Sequence, residues 1–174
     1  MKLYQSEVIV KKQYDIIAAC LDAREKYLNF PTRHATGDMT WDYRNYNFFT
    51  LSSGSYALYD VYKELVAFVK SQIDSERAWM QCWLNCHHHD DVLGWHTHEW
   101  DYHGYICIDP KNTVTKFREY DVTNKIGQIY FGPGNREHKV ECLNKFDDYR
   151  ITIGYDISLN LDPMHSCMGM IPLV

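Results

Sequence analysis

The residues in this chain best equipped for chemistry are its histidines, and their spacing tells them apart. His96 and His98 stand two apart in Trp95–His96–Thr97–His98–Glu99–Trp100–Asp101–Tyr102–His103. In an extended chain, residues two apart project from one face, so both rings would offer nitrogen to one metal ion. A third ligand must come from elsewhere. His138 is the best placed, because the run ending at Phe131 is turned by Gly132, Pro133 and Gly134, and His138 opens the next run. Chance alone gives a His-x-His pair on many half-buried strands; the later histidine beyond a Gly/Pro turn is what favours a metal. His87–His88–His89–Asp90–Asp91 is a weaker candidate, since adjacent residues in an extended chain face opposite ways. It reads as a polar loop that rims the site.

Arg150 follows His138 by 12 residues and opens the alternating run Arg150–Ile151–Thr152–Ile153–Gly154–Tyr155–Asp156–Ile157. Arg150 and Thr152 share a face, with Ile151 and Ile153 on the other. A guanidinium fork beside a hydroxyl suits a carboxylate, and an arginine turned inward demands an anionic partner. The plainer alternative is an exposed strand arginine paired with Asp147 or Asp148. His103, Tyr105 and Cys107 also share a face. His103 is open to three roles: fourth ligand, support behind a ligand, or substrate hydrogen bonder. Trp83 and Trp95 are placed to wall the pocket and keep water out.

The elements that must position these groups fall into two halves. Residues 3–10 read as a strand and 12–27 as a helix with Ile16, Ile17, Cys20, Leu21, Arg24 and Leu28 at spacings of three and four, stopped by Pro31. Segment 31–54 is polar and aromatic, a specificity loop or covering flap with one short strand near 46–51. A second helix is expected over 56–73, capped from Ser52, Ser53 or Ser55. Strand-like runs then follow at 78–86, 103–109, 113–119, 128–131, 139–142 and 150–159. The expected organisation is one domain: a strand and two supporting helices over 1–76, a sheet core over 77–160, and a tail over 161–174. Helices followed by many short strands suggest a mostly β sandwich or barrel with the helices packed outside.

Composition narrows the function. The 174 residues are 45% hydrophobic and 24% charged, which is ordinary for one globular domain. Eighteen basic against 23 acidic residues give a net charge of −5, with Lys and Arg scattered, so a nucleic-acid partner is not expected. The chain has no run long and apolar enough for a membrane span, and its polar start is no signal peptide, so a cytoplasmic location is expected. The six cysteines sit mostly in apolar runs and read as reduced thiols; Cys82 and Cys86 lack the spacing of a redox pair. A small molecule, or a side chain presented by a protein, is the expected substrate, and any oligomer is most simply a homodimer.

Taken in order, WLNCHHHDDVLGWHTHEWDYHGYICID (83–109), GQIYFGPGNREHKV (127–140) and RITIGYDI (150–157) resemble the small non-haem Fe(II)/2-oxoglutarate-dependent oxygenases, relatives of the cupins. The resemblance spans roughly residues 79–159. It implies a double-stranded β-helix (jelly-roll) core with Fe(II) and 2-oxoglutarate as cofactors. His96 and His138 would be iron ligands, and Arg150, Thr152 and Tyr105 would hold the cosubstrate carboxylate. The family's carboxylate ligand is replaced here by His98, with Asp101 as an alternative ligand if the segment loops back. The same His-x-His pair and Gly127-x5-Pro133-x4-His138 also resemble the two cupin motifs, with Asn135 where glycine is usual. A cupin-type metal enzyme independent of 2-oxoglutarate, a non-catalytic metal-binding protein and a plain sandwich with satisfied histidines are the alternatives.

Overall fold

The structure is a computed structural model that describes residues 1–28, 46–91, 93–160 and 169–173. Pro31, most of the expected flap over 31–54, and residues 161–168 of the expected tail with Cys167 lie outside the described residues.

The N-terminal strand is shorter than its apolar run. Strand β1 covers Lys2–Gln5, and Ser6 then caps helix α1 (Glu7–Lys11) by accepting from the Ile9 amide. The β-branched run Val8–Val10 thus enters a helix because the cap and the burial of Ile9 outweigh strand propensity. Helix α2 (Gln13–Leu28) follows the expected spacing and buries Ile16, Cys20 and Ala23. The expected strand near 46–51 is instead helix α3 (Phe48–Leu51), capped by Asn47. Asn47 also donates to the carbonyls of Met80 and Gly169, at 2.9 and 3.0 Å, which ties this turn to the sheet. Helix α4 (Tyr56–Lys70) is capped by Ser55 and buries Leu58, Val61, Leu65 and Val69, a stripe at spacings of three and four.

The remaining strands are β2 (Trp79–His87), β3 (Tyr102–Asp109), β4 (Thr113–Phe117), β5 (Asp121–Thr123), β6 (Gln128–Pro133), β7 (His138–Cys142), β8 (Arg150–Ser158) and β9 (Ile171–Pro172). They form a six-stranded sheet in the order β1-β6-β3-β8-β2-β9 and a three-stranded sheet in the order β5-β4-β7. Every pairing is antiparallel.

This corrects the expected fold class. The fold is a mixed one, helices plus two separate antiparallel sheets, and neither sheet closes or curls into a double-stranded β-helix. Each sheet stays open with two different end strands, β1 and β9 in one and β5 and β7 in the other. Strand number and spacing suggested a sandwich or barrel, and the resemblance implied a jelly roll; strand order, which depends on long-range pairing, decides otherwise.

Alternation explains how the large sheet serves two purposes. One face carries Met80, Cys82, Leu84 and Cys86 of β2, Ile106 and Ile108 of β3, Ile129 and Phe131 of β6, and Ile151, Ile153, Tyr155 and Ile157 of β8. These residues pack with the buried faces of the helices in one core. Burying each such side chain contributes about 1.5–3 kcal/mol, so the sheet, not helix propensity, holds the helices in place. The opposite face carries His103, Tyr105 and Cys107 of β3, Tyr130 of β6, and Arg150, Thr152 and Asp156 of β8. There Tyr105, Cys107 and Tyr130 pack with Phe117 and Val122 of the small sheet in a second core. Among the described residues, no helix is long and apolar enough to cross a membrane.

Candidate metal centre

The connection from β2 to β3 is zipped along the turn between β6 and β7. His96 and His138 exchange amide-to-carbonyl hydrogen bonds at 3.0 Å in both directions, the His98 amide donates to Gly134 at 2.9 Å, and the Gly134 amide donates to Asp101 at 3.1 Å. A Cβ at Gly134 would collide with the Trp100 carbonyl, so glycine permits this close backbone approach. The result joins a segment before β3 to the first residue of β7.

Through this pairing the ligand atoms of His96, His98 and His138 lie within 4.8 Å of one another. The three histidines that sequence spacing singled out do converge. His96 turns Nδ1 to the Gly94 carbonyl at 2.8 Å, and His138 turns Nδ1 to the Arg136 carbonyl at 3.0 Å. A carbonyl only accepts, so Nδ1 carries the proton and Nε2 keeps its lone pair for a ligand. Nε2 of His98 is buried and has no hydrogen-bond partner.

His103 enters the same cluster from β3. Its ring stacks on His98 at 3.6 Å between centroids and lies 4.7 Å from His138. Asp156 is its direct neighbour across the β3–β8 pairing. One Asp156 oxygen lies 2.9 Å from Nδ1 of His98 and 3.3 Å from Nδ1 of His103, and these three residues form a second group able to hold a metal. Sequence reasoning passed over Asp156. The signal was present, because the alternation that sets Arg150 and Thr152 on one face sets Asp156 there too.

Burial shapes the electrostatics. It pulls the His138 imidazolium down to about 2, with the neighbouring histidines adding to the effect and the Arg136 carbonyl opposing it. His103 is held at about 4 by burial and then by His98, against the pull of Asp156. His96 is lowered by burial as well. Burial acts to raise Asp156, but hydrogen bonds from His103 and His98 outweigh it and leave the carboxyl below its ordinary value. Neutral imidazoles beside an ionised carboxylate are the forms that bind metal ions.

The other sequence candidates sit around this cluster. Trp83 stacks over His98 and His103 at 5.9 and 6.5 Å. Trp95 is 38% exposed and lies under the Arg118 guanidinium at 3.8 Å, so it faces outward. Asp101 belongs to neither metal-holding group; its carboxylate accepts from the Leu159 amide at 2.7 Å. Tyr105 is buried and stacks on Tyr130 at 5.1 Å, and burial pushes its phenol up. Arg150 is 3% exposed, with Nη1 3.3 Å from Nδ1 of His87. Among the described residues no carboxylate pairs with it, so the exposed-arginine alternative with Asp147 or Asp148 is not what forms; Lys111 takes Asp148 instead. Thr152 accepts from Asn85 at 3.3 Å on the same face. His88 and His89 of the histidine run turn to Tyr149 and Phe146, away from the cluster.

No protein-family model matches the chain, and no curated protein matches it. Among solved structures it is similar to a cupin domain from Bordetella pertussis, at 25% identity over 50% of this chain and 88% of that one, with a TM-score of 0.35. A cupin-2 domain protein from Shewanella frigidimarina is 24% identical over 47% of this chain and 71% of that one, with a TM-score of 0.34. An oxidoreductase of the 2OG-Fe(II) oxygenase family from Burkholderia pseudomallei is 14% identical over 55% and 52%, with a TM-score of 0.44. These likenesses reach about half of the chain, and at such scores it is the histidine cluster itself that characterises the site.

Proposed function

We propose that this chain is a metal-dependent enzyme of the cupin kind, which holds one divalent transition ion on His96, His98 and His138 and needs no 2-oxoglutarate. The observation that carries this reading is the convergence of three imidazole ligand atoms within 4.8 Å, with Nδ1 of His96 and His138 anchored on carbonyl oxygens. An all-nitrogen donor set suits iron, nickel, copper or zinc and disfavours magnesium and calcium. Three protein ligands leave coordination positions free, as catalytic centres do, whereas structural zinc sites are closed by four. When bound, the ion supplies Lewis acidity and open positions for a substrate oxygen or nitrogen. The chain's own residues do the rest: carbonyls of Gly94 and Arg136 orient two ligands, and Trp83 shields His98 and His103 from water. A small molecule or a presented side chain is the substrate class.

A second reading, an Fe(II)/2-oxoglutarate-dependent oxygenase, is favoured by one observation. Arg150 is buried on the sheet face that also carries His103 and Asp156, and no carboxylate among the described residues neutralises it. In that reading Arg150 would hold the cosubstrate carboxylate, with Thr152 and Tyr105 near it, while His96, His98 and His138 hold the iron.

Anaerobic titration separates the two. Fe(II) binding that 2-oxoglutarate leaves spectroscopically unchanged is the expected result for the first reading. A visible charge-transfer band that grows with 2-oxoglutarate and weakens in Arg150→Ala would replace it with the second. Failure of the wild type to bind Fe(II), Ni(II), Co(II) or Zn(II) would overturn both.

A further inference from the structure

We infer that Asp156 is a positioning residue for the metal centre, fixing His98 and His103 in the Nδ1–H form and lending His98 the negative charge that the three histidine ligands lack. The inference rests on the metal reading above and adds to it a residue outside the ligand set.

Asp156 is the one carboxylate buried among the described residues, at 6% exposure. Its place is set by main chain, because β8 pairs with β3 so that Asp156 stands directly opposite His103. The same Oδ1 lies 2.9 Å from Nδ1 of His98 and 3.3 Å from Nδ1 of His103. An ionised carboxylate is an acceptor only, so each nitrogen facing it must carry the proton. A neutral ring has one proton to give, and Nε2 of both rings is then a bare lone pair. Both Nε2 atoms are buried without a hydrogen-bond partner. A fold that leaves two such acceptors dry has placed them where something else completes them.

His96 and His138 show the same orientation, with Nδ1 on the carbonyls of Gly94 and Arg136. All four rings of the cluster therefore turn Nδ1 outward to oxygen. His98 differs from His96 and His138 in having a charged acceptor. Charge behind an imidazole raises the basicity of its ligating nitrogen, and loss of such a partner typically weakens metal binding by about 10–100-fold. Three neutral ligands bring no charge to a dication; Asp156 brings one through His98.

Nitrogen-15 spectra of the imidazole rings in the metal-free and zinc-loaded protein, with Co(II) titrations of the wild type and Asp156→Asn, test this. In the metal-free wild type His98 and His103 are expected as Nδ1–H tautomers, and zinc is expected to leave the Nδ1 proton of His98 in place. Asp156→Asn, nearly isosteric, is expected to stay folded, to mix the tautomers and to weaken Co(II) binding by about 10–100-fold. Nε2–H rings in the wild type, zinc bound through Nδ1 of His98 and His103, or unchanged Co(II) affinity in folded Asp156→Asn would each overturn the role given to Asp156. A wild type that binds no metal would overturn the metal reading itself, and the tautomers would then report only a buried hydrogen-bond pair.

Discussion

His96 and His138 are clamped backbone to backbone, each donating its amide to the other's carbonyl at 3.0 Å, and their rings stand 4.3 Å apart between centroids. A reciprocal pair of this kind fixes two Cα positions relative to one another irrespective of the side chains they carry. Ring placement in the cluster therefore depends on main-chain pairing, and one histidine ring can be removed without dismantling the frame.

His138→Ala is accordingly expected to keep the fold and lose the metal. The amide and carbonyl that pair with His96 remain, while the ring is lost with its contacts to Phe117 and the neighbouring histidines and its Nδ1 hydrogen bond to the Arg136 carbonyl. Affinity for Co(II) or Zn(II) should fall by more than about 100-fold, beyond the range seen for removing a supporting partner. His88→Ala, which disturbs a ring packed on Tyr149 at 4.4 Å, should leave affinity unchanged. Calorimetric titration of both variants checks this, and equal losses in the two would dissolve the distinction between centre and loop.

Two glycines on neighbouring strands make a matched comparison. A Cβ at Gly154 would collide with the Trp83 indole on the site face of the sheet, and a Cβ at Gly104 would collide with the Tyr155 ring and the Tyr130 carbonyl on the helix face. Overpacking of this kind costs about 1–3 kcal/mol, so either alanine should lower the urea midpoint. Only Gly154→Ala displaces the indole stacked over His98 and His103. Metal affinity should therefore drop in Gly154→Ala and hold in folded Gly104→Ala. Affinity that tracks stability in both would show that Trp83 has no separate hold on the ligands.

What the sequence made legible was local periodicity. The spacing of Ile16 and Cys20, a serine cap from among Ser52, Ser53 and Ser55, and the alternation of Arg150 and Thr152 all follow from geometry within a few residues, and each is found, the cap at Ser55. The His96–His98–His138 cluster was legible for the same reason, since a pair two apart and a histidine after a turn are short-range patterns. Long-range pairing was not. Alternation gave the face of Asp156, but its pairing with His103 is set by the β3–β8 register, and the jelly roll failed because strand order is a global property. Helices α1 and α3 were misread where capping by Ser6 and Asn47 overrode apolar runs that looked like strands.

Alkaline pH should unfold this protein early. Burial pushes the thiols of Cys20 and Cys82 well up and that of Cys107 to about 12. Above about pH 9 the unfolded chain releases these protons while the native state holds them. The unfolded state then binds fewer protons, and stability falls as pH rises. The loss begins near 9 and for Cys107 runs on to about 12. Each thiol removes roughly 1 kcal/mol over the first pH unit, or about 3 kcal/mol for the three between pH 9 and 10. Urea midpoints at pH 8, 9 and 10 measure this, and Cys107→Ala should flatten the slope. A midpoint constant to pH 10 would mean that these thiols ionise inside the fold.

Among the described residues, Arg150 is the buried arginine and Asp156 the buried carboxylate, on one face of one strand yet six positions apart, and each turns to a histidine instead of to the other. Asp156 is compensated by two imidazole protons, whereas burial pulls the Arg150 guanidinium below its ordinary value with no carboxylate among the described residues to offset the loss of water. A buried charge without an opposite partner is a cost to the fold, and an apolar residue of similar volume removes that cost. Arg150→Met is therefore expected to raise the thermal midpoint of the ligand-free protein. If the 2-oxoglutarate reading holds, the wild type should gain about 2.7 kcal/mol at a ligand concentration 100 times Kd, and the variant should gain nothing. Should Arg150→Met instead lose stability, with neither protein responding to 2-oxoglutarate, the guanidinium would be a structural member of the sheet interior, and the metal-only reading would stand alone.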